Sequence, residues 1–213
     1  MTKKNFFIYL YPLLLSLFII AISHALPASQ SQSRPYSNHT FLGAHDSPFI
    51  GPLPQHNQNL NITEQLSFGI RFLQGQTHRS PTNESQLQLC HTSCALEDGG
   101  PLVQFLETVG GWLLENPEEV VSILLTNGDR VGVEMFGEAF RESGIEEMVF
   151  VPETNGDPVL PVESWPSMEE LVGMGKRVVV FLGMYPSISY LMPCVANCKR
   201  LRRQHLHNPL HSG

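Results

Sequence analysis

Two short segments without a polar face constrain the fold of this chain most strongly. Residues 120–125 and 177–182 are predominantly apolar on both sides of an extended backbone, and such strands need cover on both faces, as in parallel sheets. Between and before them, apolar residues recur at helical spacing over 101–115, 133–143 and 167–175. This alternation predicts an α/β fold around a parallel sheet, either a barrel or a doubly wound sheet.

Three further extended segments precede these runs. They cover residues 41–44, 70–76 and 87–91, and a short helix capped near Asn61 is expected to separate the first two. The helix over 101–115 carries Trp112 on its apolar side, where we expect it in the core.

The N-terminal residues predict a secretory signal. Lys3 and Lys4 precede an apolar run over residues 6–22, and small residues lead to a cleavage point after Ala25. A membrane anchor is the alternative, because the run is nearly long enough to cross a bilayer. Pro12 within the run favours cleavage and a secreted, extracellular protein.

The net charge and the glycosylation motifs agree with an extracellular location. The net charge is −7, and removal of Lys3 and Lys4 with the signal leaves −9. Such acidity argues against a nucleic-acid partner, which needs clustered cations. Three sequons behind the signal predict N-glycosylation at Asn38, Asn61 and Asn83.

The four cysteines form two closely spaced pairs, Cys90 with Cys94 and Cys194 with Cys198. In an oxidising compartment we expect disulfides, local or long-range, with partners that the sequence leaves open. His91 inside the first pair raises the alternative of zinc, but no second Cys/His cluster completes a tetrahedral set.

Histidines follow two of the predicted strands. His45 and Asp46 come directly after the first, and His91 follows the segment 87–90. In barrel enzymes the chemistry lies at the strand ends. Two imidazoles there could meet one phosphodiester, one taking a proton from the attacking hydroxyl and the other protonating the leaving alcohol.

Four short motifs then make the pattern specific. Their order and spacing resemble the catalytic X region of phosphatidylinositol-specific phospholipase C, with most similarity to secreted fungal phospholipase C-like phosphodiesterases. The resemblance covers roughly residues 40–182 and includes the His-Thr-Ser-Cys turn at 91–94. The motifs are Gly-Ala-His-Asp-Ser at 43–47, Gly-Ile-Arg-Phe-Leu at 69–73, Leu-Cys-His at 89–91 and Asn-Pro-Glu-Glu-Val-Val at 116–121.

The resemblance implies a TIM-type barrel and a two-step, ribonuclease-like cleavage. His45 matches the family's general base, which activates the inositol 2-hydroxyl. His91 matches the general acid for the diacylglycerol leaving group. Asp46 matches the aspartate beside the base, which orients charge at the phosphate.

This chain departs from the family pattern at the phosphate. Gln76 stands where bacterial members have a phosphate-binding arginine, and Gln74 where they have an acidic residue. The animal enzymes hold calcium with carboxylates at these same two positions and with another near Asn127, and all three are amides here. Amides are poor replacements for such ligands, so we expect no cofactor or metal. Gln74 and Gln76 are candidate substrate contacts, with Arg71 or His78 as the nearest source of positive charge.

The expected organisation has four parts: a signal peptide over 1–25, a flexible lead-in over 26–39, a partial barrel over 40–183 and a basic tail over 184–213. A closed barrel needs about 250 residues, so we expect a shortened form with low stability and weak activity at best. Five histidines are expected to be solvated: His39, His56, His205, His207 and His211.

Three functions are open on this reading. The first is phosphodiester cleavage by the two histidines, with an inositol phospholipid or related diester as substrate and a membrane surface as a transient partner. The second is a glycerophosphodiesterase, which needs metal-binding acidic residues not found here. The third is a non-catalytic secreted glycoprotein on the same scaffold.

Overall fold

A computed structural model of the chain describes residues 33–152 and 160–184. Within these ranges, strands and helices alternate over most of the chain, as the sequence predicts. The strands are β1 (Gly43–Ala44), β2 (Phe72–Arg79), β3 (Leu87–Cys90), β4 (Asp98–Pro101), β5 (Val121–Asn127) and β6 (Val178–Met184). The helices are α1 (Ile62–Ser67), α2 (Leu102–Glu115), α3 (Val133–Glu142) and α4 (Met168–Gly173).

Four strands form the predicted parallel sheet. Strand β1 pairs with the start of β2, β2 pairs along its length with β5, and β5 pairs with β6, all in parallel. The register aligns Leu73 of β2 with Ile123 of β5, and Ile123 with Val180 of β6. The carboxyl ends of all four strands therefore lie at one edge of the sheet.

Strands β3 and β4 differ from the prediction, because both pairings are antiparallel. Strand β3 returns alongside the outer end of β2, with Leu89 opposite Thr77, and β4 then pairs with β3. The short polar turn between β2 and β3 leaves no room for the crossover that a parallel return requires. Strand β4 has the sequence Asp-Gly-Gly-Pro, which carries no strand propensity and so gave no signal.

Helices α1, α2 and α3 pack against one face of the sheet, whereas α4 joins a cluster on the opposite face through Leu171. Side chains alternate along each strand, so Leu73, Ile123 and Val180 point to this face and join a buried cluster with residues of α1, α2 and α3. Trp112 of α2 is 6% exposed within it, which confirms its predicted place in the core.

A second apolar cluster covers part of the opposite face. Tyr36 lies in it beside Val179, with Trp165 and Phe181 packed around the ring. The Tyr36 hydroxyl also shares a hydrogen bond of 2.7 Å with Ser122 of β5. The flexible lead-in predicted over 26–39 therefore does not extend through residues 33–39, because one aromatic side chain fixes this segment to the sheet.

The predicted helix boundaries are confirmed by capping. Asn61 and Ser167 each cap a short helix through a capping box with Glu64 and Glu170. Gly69, which follows α1, has a φ of 96°, a conformation that favours glycine. Among the described residues, no helix has the length and apolar character needed to cross a membrane.

Several predicted features lie outside the described residues. They are the signal peptide over 1–25, the Cys194 and Cys198 pair, and all but the first residue of the basic tail over 184–213.

Burial of Tyr36 predicts a stability loss at alkaline pH. Burial raises the pKa of Tyr36 from 10.0 to about 12, although the hydrogen bond with Ser122 acts in the opposite direction. The unfolded phenol loses its proton first, so this stabilisation is present below pH 10 and is lost as the pH rises toward 12. Over that range we expect the unfolding free energy of the wild type to fall by about 2–3 kcal/mol more than that of Tyr36→Phe.

Urea denaturation at several pH values measures this difference. The Tyr36→Phe variant is the matched control, because it keeps the ring and lacks the titrating proton. If both proteins lose stability in parallel between pH 10 and 12, the buried phenol does not contribute as described.

Candidate active site

The turn that follows β1 is tied to the middle of β2. The backbone N–H of Asp46 donates to Oε1 of Gln74 at 2.7 Å, and the N–H of Ser47 donates to the Gln74 carbonyl at 2.7 Å. The Gln74 N–H in turn donates to the Ser47 hydroxyl. Asp46 has a φ of 47°, which an aspartate tolerates better than most residues. The His-Asp-Ser sequence thus forms a fixed corner at the sheet edge.

The Asp46 carboxylate collects three side chains on one oxygen. Its side chain is 0% exposed, and Oδ2 lies 3.2 Å from Nε2 of His45 and 3.4 Å from Nε2 of His91. Gln76 donates its amide N–H to the same oxygen at 2.9 Å. The other oxygen, Oδ1, is buried and has no hydrogen-bond partner in the part of the chain that the structure describes. A protonated imidazole at either histidine would offset this buried negative charge.

The two histidines differ in how firmly they are held. The His45 side chain is 71% exposed and that of His91 is 22% exposed. Nδ1 of His91 lies 2.8 Å from the carbonyl oxygen of Gln55, and its ring stacks on Phe49 with the centroids 5.3 Å apart. The structure therefore brings His45, Asp46 and His91 together, with His91 fixed on several sides.

A local disulfide closes the turn that carries His91. Cys90 and Cys94 are bonded to each other, so the pairing that the sequence left open is the local one. Thr92, between them, has a φ of 65° and donates its N–H to Oε1 of Gln76 at 3.1 Å. The disulfide thus holds a bend that a β-branched residue disfavours.

Gln76 uses both ends of its amide inside the protein. Its nitrogen donates to Asp46, and its oxygen accepts from the Thr92 N–H. An arginine at this position could donate to Asp46 but could accept nothing from Thr92. The amide therefore joins the turn after β1 to the turn after β3. Gln74 uses its oxygen in the same way, and its amide nitrogen makes no hydrogen bond within the described residues.

His78 lies one strand repeat further along the same side of β2 as Gln76. Its Nδ1 is 2.9 Å from Oδ1 of Asp129, and Oδ2 of Asp129 accepts from the Arg79 N–H at 2.7 Å. Burial acts to raise the pKa of Asp129, but the hydrogen bonds from Arg79 and His78 and their positive charges outweigh it and hold the pKa below its usual range. A side chain on Gly128 would meet the His78 ring at 2.8 Å, so the ring is closely fitted.

Arg71 is directed away from this site. Its guanidinium donates to Glu119 at 2.7 Å and to the Leu66 carbonyl at 2.6 Å, and it lies over the Trp112 ring. Arg71 is the residue just before β2, and these contacts lie on the helix side of the sheet. The structure therefore brings His78 to the same side as the two glutamines and Arg71 to the other.

Several residues of the site gave no signal in the sequence. Gln55, Gln58 and His56 lie in the loop after β1, and Gln58 donates its side-chain amide to the His45 carbonyl at 2.6 Å. His56 was predicted to be solvated, which is wrong: its side chain is 11% exposed and its Nε2 lies 3.0 Å from Oε2 of Glu97. The loop's Gly, Pro and Asn content indicates only a loop, and Glu97 is 41 residues away in sequence.

The asparagines singled out in the sequence lie outside the group around Asp46. Asn127 is buried on the helix side, where its side chain makes two hydrogen bonds to Val131 across a turn. The sequon residues Asn38, Asn61 and Asn83 are all exposed, as glycosylation requires. Within residues 33–152 and 160–184, no group of three or more His, Cys, Asp or Glu residues could hold a metal ion.

Comparison with known sequences identifies related proteins. The family model described as PI-PLC X 1 matches residues 32–193. A PI-PLC X domain-containing protein 1 of Arthroderma benhamiae is 43% identical over 192 residues, which are 85% of this chain and 60% of that protein. An uncharacterized secreted protein of the same organism is 40% identical over 151 residues, 70% of this chain and 33% of that protein. The chain thus spans less than two thirds of either relative.

Solved structures agree on the fold. A mutant phosphatidylinositol-specific phospholipase C from Staphylococcus aureus superposes with a TM-score of 0.54 at 17% identity, over 72% of this chain and 50% of that one. The enzyme from Listeria monocytogenes gives a TM-score of 0.51 at 19% identity, over 75% of this chain and 54% of that one. These neighbours confirm the predicted TIM-type α/β class. About half of each neighbour's chain aligns with this one.

Loss of the Cys90–Cys94 disulfide is expected to lower stability modestly and to loosen the His91 turn. The bond joins residues four apart, and so short a loop gives an entropic stabilisation of about 2 kcal/mol. In a Cys90→Ala/Cys94→Ala double variant we expect that loss by urea denaturation, with faster hydrogen exchange at the Thr92 amide. The Leu125 amide in β5 serves as the control, and unchanged exchange at Thr92 would contradict the role assigned to the disulfide.

Proposed function

The chain belongs to the PI-PLC X domain family, and we propose that it cleaves phosphodiesters with His45 and His91 as its proton-transfer groups. One observation carries the proposal. Both imidazoles place Nε2 within 3.4 Å of a single oxygen of the buried Asp46 carboxylate, so the two rings are close enough to act on one phosphate.

In the proposed reaction, His45 is the general base. Its Nε2 faces Asp46, so Nδ1 is the ring nitrogen left to accept a proton from a hydroxyl next to the phosphate. As that proton moves to His45, the hydroxyl oxygen bonds to phosphorus. An exposed ring suits this step, because the base has to reach a substrate that arrives from solvent.

His91 is the general acid of the same step. The bond between phosphorus and the leaving oxygen breaks, and that oxygen takes the proton from Nε2 of His91. The products are a cyclic phosphodiester and an alcohol, and a second step with water opens the ring and returns both histidines to their starting protonation. Asp46 touches both imidazoles and stabilises whichever of them is protonated.

The phosphate also needs positive charge or hydrogen-bond donors as phosphorus gains a fifth oxygen. The Gln74 amide nitrogen has its donors free within the described residues, and His78 lies on the same side of β2. We propose that a protonated His78 donates from Nε2, while Asp129 fixes the ring through Nδ1. Arg71 is not part of this proposal, because Glu119 and Trp112 occupy its guanidinium.

An inositol phospholipid is the proposed substrate class, met at a membrane surface. Leu53, in the loop beside His91, is 53% exposed, and Leu96, in the turn after the disulfide, is 51% exposed. Apolar side chains so near the site suit a lipid surface. Secretion with N-glycans at Asn38, Asn61 and Asn83 completes the proposal, in agreement with a relative named as a secreted protein.

Substitution of the three central residues is expected to remove turnover. We expect His45→Ala and His91→Ala each to lower the rate by about 10²–10⁴-fold, since each removes one proton transfer. Asp46→Asn, which tolerates the same left-handed backbone, is expected to lower it in the same direction. Release of cyclic inositol phosphate from phosphatidylinositol vesicles is the measurement, and His39→Ala, whose ring stacks on Phe41 and makes no contact with the site, is the control.

Each alternative function has its own outcome in that assay. Folded wild-type protein without turnover would support a non-catalytic glycoprotein, and loss of turnover with a chelator would support a metal-dependent phosphodiesterase. We expect the chelator to have no effect, because Gln74 and Gln76 are poor ligands for a hard cation. Circular dichroism of each variant separates a lost group from a lost fold.

The role of His78 is tested by removing its charge. We expect His78→Gln to lower kcat/KM by about tenfold, because a hydrogen bond to a charged group contributes about 1.5–3 kcal/mol. Asp129→Asn keeps the imidazole and loses its carboxylate partner, so we expect a smaller loss in the same direction. His39→Gln is the matched control, and an unchanged kcat/KM in His78→Gln would rule out the phosphate contact.

A further inference from the structure

The loop over residues 50–58 lies against both histidines of the site, although it supplies neither. The Gln55 carbonyl oxygen is 2.8 Å from Nδ1 of His91, and the Gln58 side chain donates to the His45 carbonyl. The loop is closed on itself by backbone hydrogen bonds, among them Gly51 N–H to the Gln58 carbonyl at 2.9 Å. The position of this loop therefore determines which group hydrogen-bonds to Nδ1 of His91.

The contact with Gln55 fixes the proton on one side of the His91 ring. The Gln55 carbonyl and the Asp46 carboxylate can both only accept, and the carbonyl is the closer of the two, at 2.8 Å from Nδ1 against 3.4 Å for Asp46 and Nε2. The single hydrogen of a neutral His91 ring is therefore assigned to Nδ1. A neutral His91 then has its lone pair on Nε2, the atom 3.4 Å from Asp46. Any second proton is therefore taken up and given back at Nε2, which is the atom that faces the proposed site.

One side-chain hydrogen bond joins this loop to the disulfide turn. Nε2 of His56 lies 3.0 Å from Oε2 of Glu97, and Nδ1 of His56 accepts from the Leu53 N–H at 3.0 Å. Glu97 in turn accepts from the His91 backbone N–H through its own carbonyl at 3.1 Å. The side chains of His56 and Glu97 are 11% and 16% exposed, so water competes little for this hydrogen bond.

The loop is shaped to admit the His56 ring. Gly51 has a φ of 150°, and a Cβ there would lie 2.2 Å from Nδ1 of His56. Any side chain at this position would displace the imidazole from Glu97. The backbone at one end of the loop is thus matched to the ring near its other end.

We propose that His56 and Glu97 are positioning residues, which hold the Gln55 carbonyl on Nδ1 of His91 and so keep Nε2 of His91 as the proton donor to the leaving group. This inference rests on the proposed function for its effect on rate. Its structural part, the single tautomer of His91, does not depend on turnover.

The kinetic test compares two leaving groups on inositol phosphodiesters. Diacylglycerol needs a proton when it leaves, whereas 4-nitrophenol leaves readily as the anion. For His56→Ala and Glu97→Gln in the full chain, we expect kcat on phosphatidylinositol to fall by about a hundredfold with KM nearly unchanged. On the 4-nitrophenyl diester the same variants should keep most of their rate. Equal losses on both substrates, or no loss on either, would overturn the proposal.

Two further variants sharpen the kinetic test. His56→Gln can donate to Glu97 from its amide nitrogen and is expected to restore part of the rate that His56→Ala loses. Gly51→Ala keeps every functional group and is expected to behave like His56→Ala, because it pushes the ring aside. His39→Ala serves as the matched histidine control. Failure of His56→Gln to exceed His56→Ala would count against the hydrogen bond between residues 56 and 97.

Nuclear magnetic resonance tests the tautomer directly. In long-range proton–nitrogen spectra at a pH where His91 is neutral, we expect wild-type His91 as the Nδ1–H tautomer and a mixture in His56→Ala. Identical tautomers in both proteins would overturn the proposal. If the wild type turns over neither diester, the proposed function fails, and the tautomer measurement still decides the role of His56 and Glu97.

Discussion

The site depends on a buried carboxylate whose charge can be offset only by its neighbours. Asp46 is fully enclosed, and one of its oxygens draws together an exposed histidine, a half-buried histidine and an amide. Burying such a group is costly unless partners surround it. The corner after β1, the amides on β2 and the disulfide turn after β3 all serve to bring those partners to one point.

The two faces of β2 have different roles, one in the core and one in the candidate site. Leu73 faces the helices and belongs to the core, while Gln74, Gln76 and His78 face the other way. Because side chains alternate, a strand can be fixed by packing on one side and present polar groups on the other. The polar groups are therefore carried by a rigid element, which suits chemistry that depends on short distances.

Much of this could be predicted because its signals are local. The apolar runs of β5 and β6, the caps at Asn61 and Ser167, and the histidines at strand ends were all visible in the sequence. The antiparallel return of β3, the pairing of His56 with Glu97 and that of His78 with Asp129 were not. Each depends on where a loop folds in space, and polar pairs far apart in sequence leave no periodic pattern that would reveal them.

Because Gln76 uses both ends of its amide, a substitution at position 76 also affects the turn at Thr92. Its oxygen accepts the Thr92 N–H in a turn that a disulfide holds bent. A cationic replacement at position 76 would bring charge to the phosphate but would leave that N–H without its acceptor, at a cost of about 1–3 kcal/mol if no water reached it. An arginine at position 76 would therefore need a change in the cysteine turn, or a water molecule, to supply that N–H with another acceptor.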